Sequence, residues 1–133
     1  MPVGTPRTQA GISIAIARDP SLVRTVRLVA AAVARRASPS EDLVEEVRLA
    51  VGEACAVMVS GLSGVVTEAP DDKVKLQMDI GERLYVSLSC ASDGAVSYST
   101  DAIDPWALLR GLTDDLVVTN RDGQTAVAMS WAV

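Results

Sequence analysis

Residues 41–60 read EDLVEEVRLAVGEACAVMVS, and the spacing of their apolar side chains decides the fold. Val44, Val47, Val51, Ala54, Cys55 and Met58 recur at intervals of three and four, the period of an α-helix that buries one face. Glu41, Asp42, Glu45, Glu46 and Arg48 look outward, and the two leading acids suit the positive end of the helix dipole. Ser40 stands at the cap, although Leu43 occupies the place of the acid that would complete a capping box. One carboxylate breaks this polarity. Glu53 has Leu49, Ala50, Ala56 and Val57 as its neighbours three and four positions away, all apolar, and a charge there is costly unless it is paired or hydrated in a pocket. The spacing alone leaves two readings open, a rim carboxylate that reaches water and a site residue.

Working outward, Ser38-Pro39-Ser40 separates this helix from an earlier one. Asp19-Pro20-Ser21 opens that first helix, with proline in its first turn, and Leu22, Val23, Val26, Val29, Ala30 and Val33 form its buried stripe as far as Arg35-Arg36-Ala37. Before it, Ile12, Ile14 and Ile16 alternate with small residues, the period of a half-buried strand. Residues 1–9 read as a loose leader, leaving residues 10–133 as a single domain. After the second helix, Gly61 to Asp72 is a polar connection. Val74-Leu76-Met78 and Leu84-Val86-Leu88-Cys90 then alternate on either side of Gly81-Glu82, a predicted antiparallel hairpin. Ala91 to Ile103 is irregular, and Asp104-Pro105 opens a short helix carrying Trp106, Leu108, Leu109 and Leu112. Leu116-Val117-Val118 leads through Asn120-Arg121-Asp122-Gly123 into a last strand over Ala126 to Trp131. The order of strands and helices predicts an α+β two-layer sandwich, a mixed, mostly antiparallel sheet with helices on one face and the first strand at an edge.

Composition narrows the function. The 133 residues contain no histidine, which removes Ser-His-Asp and Cys-His catalysis and the usual mixed zinc sites. Cys55 and Cys90 fall in a helix and a strand and are expected to be reduced core residues rather than a disulfide framework. Acids outnumber bases by 17 to 12, and no window gathers a Lys/Arg stripe of the kind that binds nucleic acid. Arg35-Arg36 reads as the charged last turn of a helix. No apolar run is long enough to span a bilayer and no signal peptide is evident, so a cytoplasmic protein is expected. Arginine in excess of lysine, with abundant alanine and valine, suggests a GC-rich bacterial genome.

The stretch Glu46-Val47-Arg48-Leu49-Ala50-Val51-Gly52-Glu53-Ala54-Cys55-Ala56 resembles the helix that carries the general base in the anti-sigma factor serine kinases of RsbW and SpoIIAB type, members of the GHKL or Bergerat-fold ATPases. Residues 107–118, followed by Asp122-Gly123-Gln124-Thr125-Ala126-Val127, resemble that family's last helix and closing hairpin. The resemblance covers residues 10 to 133 and implies a Bergerat-type fold in a divergent member of actinobacterial origin, with Glu53 at the position of the catalytic glutamate. The family's magnesium-ligating asparagine falls on Val57, whose side chain offers no oxygen to a hard cation. Asp93-Gly94 is a remnant of the turn that reads adenine. The segment matching the glycine-rich phosphate lid, Ala95 to Pro105, has no glycine; it carries Asp101 and Asp104, and Trp106 takes the start of the helix whose free N-H groups would cradle phosphate.

The resemblance therefore implies a degenerate nucleotide pocket, formed by Glu53, Val57, Asp93, Gly94, Trp106 and Thr125, with ATP and magnesium binding lost and no cofactor or metal expected. It implies an anti-sigma-factor-like regulator that switches between two partners, a sigma factor and a STAS-domain anti-anti-sigma factor. Two alternatives stand beside it: an active ATP-dependent serine kinase of the STAS antagonist, with Glu53 still the base, and a sensor whose pocket takes a non-nucleotide small molecule such as a sugar. A homodimer is expected, because the first strand is apolar, short and at a sheet edge and the family commonly pairs there. No nucleic-acid or membrane partner is expected.

Overall fold

The computed structural model describes residues 10–60, 73–91 and 106–133. In chain order these form β1 (Ala10–Ala17), a 3-10 turn (Pro20–Leu22), α1 (Val23–Ala37), α2 (Glu41–Ser60), β2 (Lys73–Ile80), β3 (Arg83–Ala91), α3 (Ala107–Leu112), β4 (Asp115–Arg121) and β5 (Gln124–Ala132). The strands make one five-stranded sheet in the order β1-β2-β3-β5-β4. All four pairings are antiparallel, so the sheet described is not mixed. Each strand pairs with a hairpin partner or returns to a free edge, and no right-handed parallel crossover is needed. β1 stands at one edge, as expected, although at eight residues it is as long as β2 rather than short, and β4 stands at the other.

Alternation places one side chain of every two on the helices. Ile14, Leu76, Leu88, Val127 and Val118 lie in one row of the inner face, from β1 across to β4. The core closes where this face meets α1 and α2, with Val26, Ala30, Val47, Val51, Ala54, Cys55 and Met58 at most 1% exposed. Both cysteines are free and buried. The small residues Ala30, Ala34, Ala50 and Ala54 let the two helices and the sheet approach closely, and the sole described glycine of α2, Gly52, lies under the side chain of Arg27 on α1.

Local chemistry explains the element ends. The Asp19 carboxylate accepts hydrogen bonds from the Ser21 backbone N-H and hydroxyl, both 2.9 Å, which holds its pKa below the usual value. Residues 20–22 turn as a 3-10 segment, so the α-helix proper starts at Val23 rather than at the proline. Ser40 Oγ accepts from the Leu43 N-H at 3.2 Å, a working cap without the capping-box acid. Asp122 and Gly123 both have positive φ, 52° and 74°, as the two-residue hairpin turn between β4 and β5 requires. The short helix begins at Ala107 with Trp106 as its cap, and its expected opening at Asp104-Pro105 lies outside the described residues. The leader, the 61–72 connection and the lid segment also lie outside them.

Candidate functional site

α2 carries the first two predicted site residues. Glu53 and Val57 are both half-buried and sit four residues apart on one flank of the helix. The polarity break expected at Glu53 is softer than the spacing implied. Of its four neighbours only Ala50 is fully buried; Leu49 is 46% exposed, and Ala56 and Val57 are half-buried. The reason is angular: these residues lie on the side of α2 turned away from the sheet, where apolar side chains are left over once the core is filled. Glu53 therefore borders the core instead of piercing it.

One turn on, the Ser60 hydroxyl donates to the Val57 carbonyl oxygen at 3.0 Å, so this part of the helix satisfies its own end. The Val57 side chain itself is hydrocarbon. Among the described residues no group of three acidic or cysteine side chains converges to hold a metal ion.

α3 packs against α2 and brings Trp106 to the helix layer. Trp106 is 2% exposed at the head of α3, and Leu109 one turn later is fully buried. The backbone N-H groups of Leu109 and Arg110 donate to the Trp106 carbonyl, so they serve this six-residue turn. At the far end of α3, Thr113 Oγ1 donates to the Leu109 carbonyl, and the indole N-H of Trp131 donates to the Leu112 carbonyl at 2.7 Å. The helix is thus held at both ends by buried tryptophans.

Thr125 lies on β5, on the inner face, 1% exposed and opposite Cys90 of β3. Its hydroxyl donates to Asn120 Oδ1 across the β4–β5 hairpin at 2.5 Å, which commits its only proton. Asp93 and Gly94 lie outside the described residues. The structure thus places Glu53, Val57 and Trp106 on the packed pair α2 and α3, and Thr125 separately at the hairpin end of the sheet.

Two surface grooves lie elsewhere, and none of the predicted site residues lines either. One, of about 610 Å³, runs between the start of α1 and the end of α2, with Arg24, Arg27, Val23, Ala56 and Val59 in its walls. The other, of about 300 Å³, lies between β1, β2 and the end of α1, lined by Ile12, Val33, Arg36 and Met78 among others. Sequence reading gave no role to Arg24 or Arg27, and placed Gly52 in the second helix and Asn120 in the hairpin turn without their contacts. Two arginines three apart on a helix without acids, and an Asn-Thr pair straddling Asp122-Gly123, were the available signals.

A family profile described as "Histidine kinase-like ATPase domain" matches residues 16–99. Among solved structures, the chain is similar to "The crystal structure of the RsbU and RsbW domains of Rv1364c from Mycobacterium tuberculosis", with a TM-score of 0.72 and 13% identity. That superposition covers 93% of this chain and 32% of the other, so this chain spans about a third of its length, and at that identity the likeness is one of fold. None of the curated proteins matches by sequence.

Proposed function

The chain belongs to the histidine kinase-like ATPase domain family, and from that premise we propose that it acts by binding rather than by catalysis, as an anti-sigma-factor-like partner switch. In this reading it sequesters a sigma factor in the cytoplasm and releases it when a STAS-domain antagonist takes its place. Two mutually exclusive partners of different affinity suffice for such a switch, and no phosphoryl transfer is needed. The observation that carries the reading is Val57. Phosphoryl transfer depends almost wholly on metal and phosphate positioning, and a hydrocarbon side chain four residues beyond Glu53 offers neither charge nor lone pair.

Two further observations support it. Trp106, with its indole buried, occupies the head of α3, where the resembled kinases would receive phosphate. The Thr125 proton is spent on Asn120, so the threonine has none to offer a bound base while that bond lasts. Fold likeness to a chain that contains an RsbW domain fits the same role.

Purification of the chain from its native host, followed by identification of the proteins that accompany it, tests the proposal. A sigma factor and a STAS protein are expected in separate complexes. Recovery of neither rejects the switch. Radiolabel transfer from ATP to a STAS partner would instead make the chain a kinase with a substitute metal arrangement.

A further inference from the structure

The larger groove, between the start of α1 and the end of α2, is lined by no strand residue and by no residue of the Glu53 flank. Its base is apolar: Val23 and Val59 are buried, and Ala56 is half-buried beside them. Arg24 and Arg27 rise from that base, exposed and three residues apart, so that they share one face of α1. No carboxylate lines the groove, in a chain whose acids outnumber its bases by 17 to 12. Neither guanidinium has a hydrogen bond or ion pair to a described residue.

The remaining polar groups are already committed. The Ser21 hydroxyl donates to Asp19 Oδ1 at 2.9 Å, and the Ser60 hydroxyl donates to the Val57 carbonyl at 3.0 Å. Asp19, the nearest acid in sequence, is turned to the start of the helix, where it also accepts from the Ser21 N-H. The open donors of the groove are therefore those of two permanently charged forks. A neutral polyol would meet donors without matching acceptors. A phosphate monoester, with about two negative charges near neutral pH and three acceptor oxygens, can bridge both arginines, whereas one carboxylate answers only one. Arg27 is also held in place, because its stem and Nε lie on the backbone of Gly52, where an added Cβ would come within 2.7 Å of Arg27 Cγ.

We propose that this groove binds a small soluble organic phosphate, with the phosphate held between Arg24 and Arg27 and an apolar body resting on Val23, Ala56 and Val59. The size fits. The groove holds about 610 Å³, inside the range of about 300–1,000 Å³ usual for small-ligand sites. Pro20 to Arg27 spans about two helical turns, or about 10 Å, room for a pair of fused rings and their head group. The site is separate from the Glu53 and Val57 flank, and the inference does not depend on the partner switch proposed above.

Titration of the isotope-labelled full chain with naphthyl phosphate, followed through its amide chemical shifts, tests this. Saturating shifts are expected at residues 21–27 and 56–60, with a Kd of about 0.1–1 mM. Inorganic phosphate and naphthol, the head and the body taken apart, should each bind at least about tenfold more weakly. Arg24→Gln and Arg27→Gln should each weaken the ester about tenfold, as loss of a charged hydrogen-bonding partner does. Gly52→Ala keeps both charges but displaces Arg27, and should weaken it about threefold. Arg36→Gln, in the smaller groove, should leave binding unchanged. Absent or non-saturating shifts, shifts centred on Glu53 and Trp106, or full affinity in the Arg24→Gln/Arg27→Gln variant overturns the proposal. So does equal or tighter binding of inorganic phosphate, of an oligoglutamate peptide, or of phosphatidic acid vesicles.

Discussion

Arg27 of α1 lies across Gly52 of α2, its stem so close that a Cβ built on the glycine would come within 2.7 Å of Arg27 Cγ and 3.0 Å of Cδ. The guanidinium has no ion pair with a described residue and the side chain is exposed, so the contact lays the stem and the Nε of Arg27 on bare helix backbone.

The first prediction follows from it. Gly52→Ala gains about 1 kcal/mol of helix propensity but must push Arg27 outward, so the single variant should change stability by less than about 1 kcal/mol. In an Arg27→Ala background the same Gly52→Ala change should show the full gain of about 1 kcal/mol. Urea denaturation of the four proteins reads the coupling directly. Additivity between the two sites would contradict the contact.

Trp131 anchors α3 to β5. Trp131→Phe keeps an aromatic ring but removes the N-H that donates to the Leu112 carbonyl, leaving that acceptor without its partner and a small void beside it. A loss of about 2–3 kcal/mol is expected, seen as a lower urea midpoint with unchanged slope.

The Thr125–Asn120 bond spans the β4–β5 hairpin at the rim of the core, from a buried threonine to an exposed asparagine. Thr125→Val keeps the volume and removes the proton donor, at a cost of about 1–2 kcal/mol. Asn120→Ala should cost about the same, and the double variant should cost less than the sum, because the second change removes a group already left unpaired. Thermal unfolding of the set measures it.

Burial pushes the Cys55 thiol up to about 11, with a smaller opposing pull from the Arg27 charge. Above the unfolded value, about 8.5–9, the unfolded chain loses this proton while the folded chain keeps it. Stability should therefore be intact at neutral pH and fall as pH rises through that window, by on the order of 1–2 kcal/mol near its upper end. Cys55→Ala should remove this alkaline slope, although it lowers stability at every pH by opening a cavity. Denaturation curves at about pH 8 and about pH 10, compared between parent and variant, give the difference.

For function, Val57→Asn supplies the oxygen that a hard cation needs four residues after Glu53. Calorimetry with magnesium and ATP should show no heat of binding for the parent and none for Val57→Asn alone, since Trp106 still fills the head of α3. Binding by the parent would contradict the degenerate-pocket reading.

Much of the fold was legible because local periodicity and burial agree here. The span of α2 matched residue for residue, since its apolar spacing, Ser40 cap and leading acids point to the same limits. The β4–β5 turn followed from Asp122-Gly123. The start of α1 did not: Asp19-Pro20 looks like a helix opening whether the next three residues coil at three or at nearly four per turn. The site was less legible than the fold. Glu53 looked isolated among apolar neighbours because spacing lists them without saying which remain exposed, and Leu49 does.

The sequence by itself determined the elements, their inner faces and the chemistry absent from the chain: no histidine, and no side-chain oxygen at position 57. Only the tertiary structure decided the pairing order β1-β2-β3-β5-β4, the laying of Arg27 over Gly52, and the commitment of Thr125 to Asn120. Periodicity is a property of one segment and is written within a few turns. Register and contact between segments depend on which of many compatible surfaces meet, and that choice is made by the packing of the whole core.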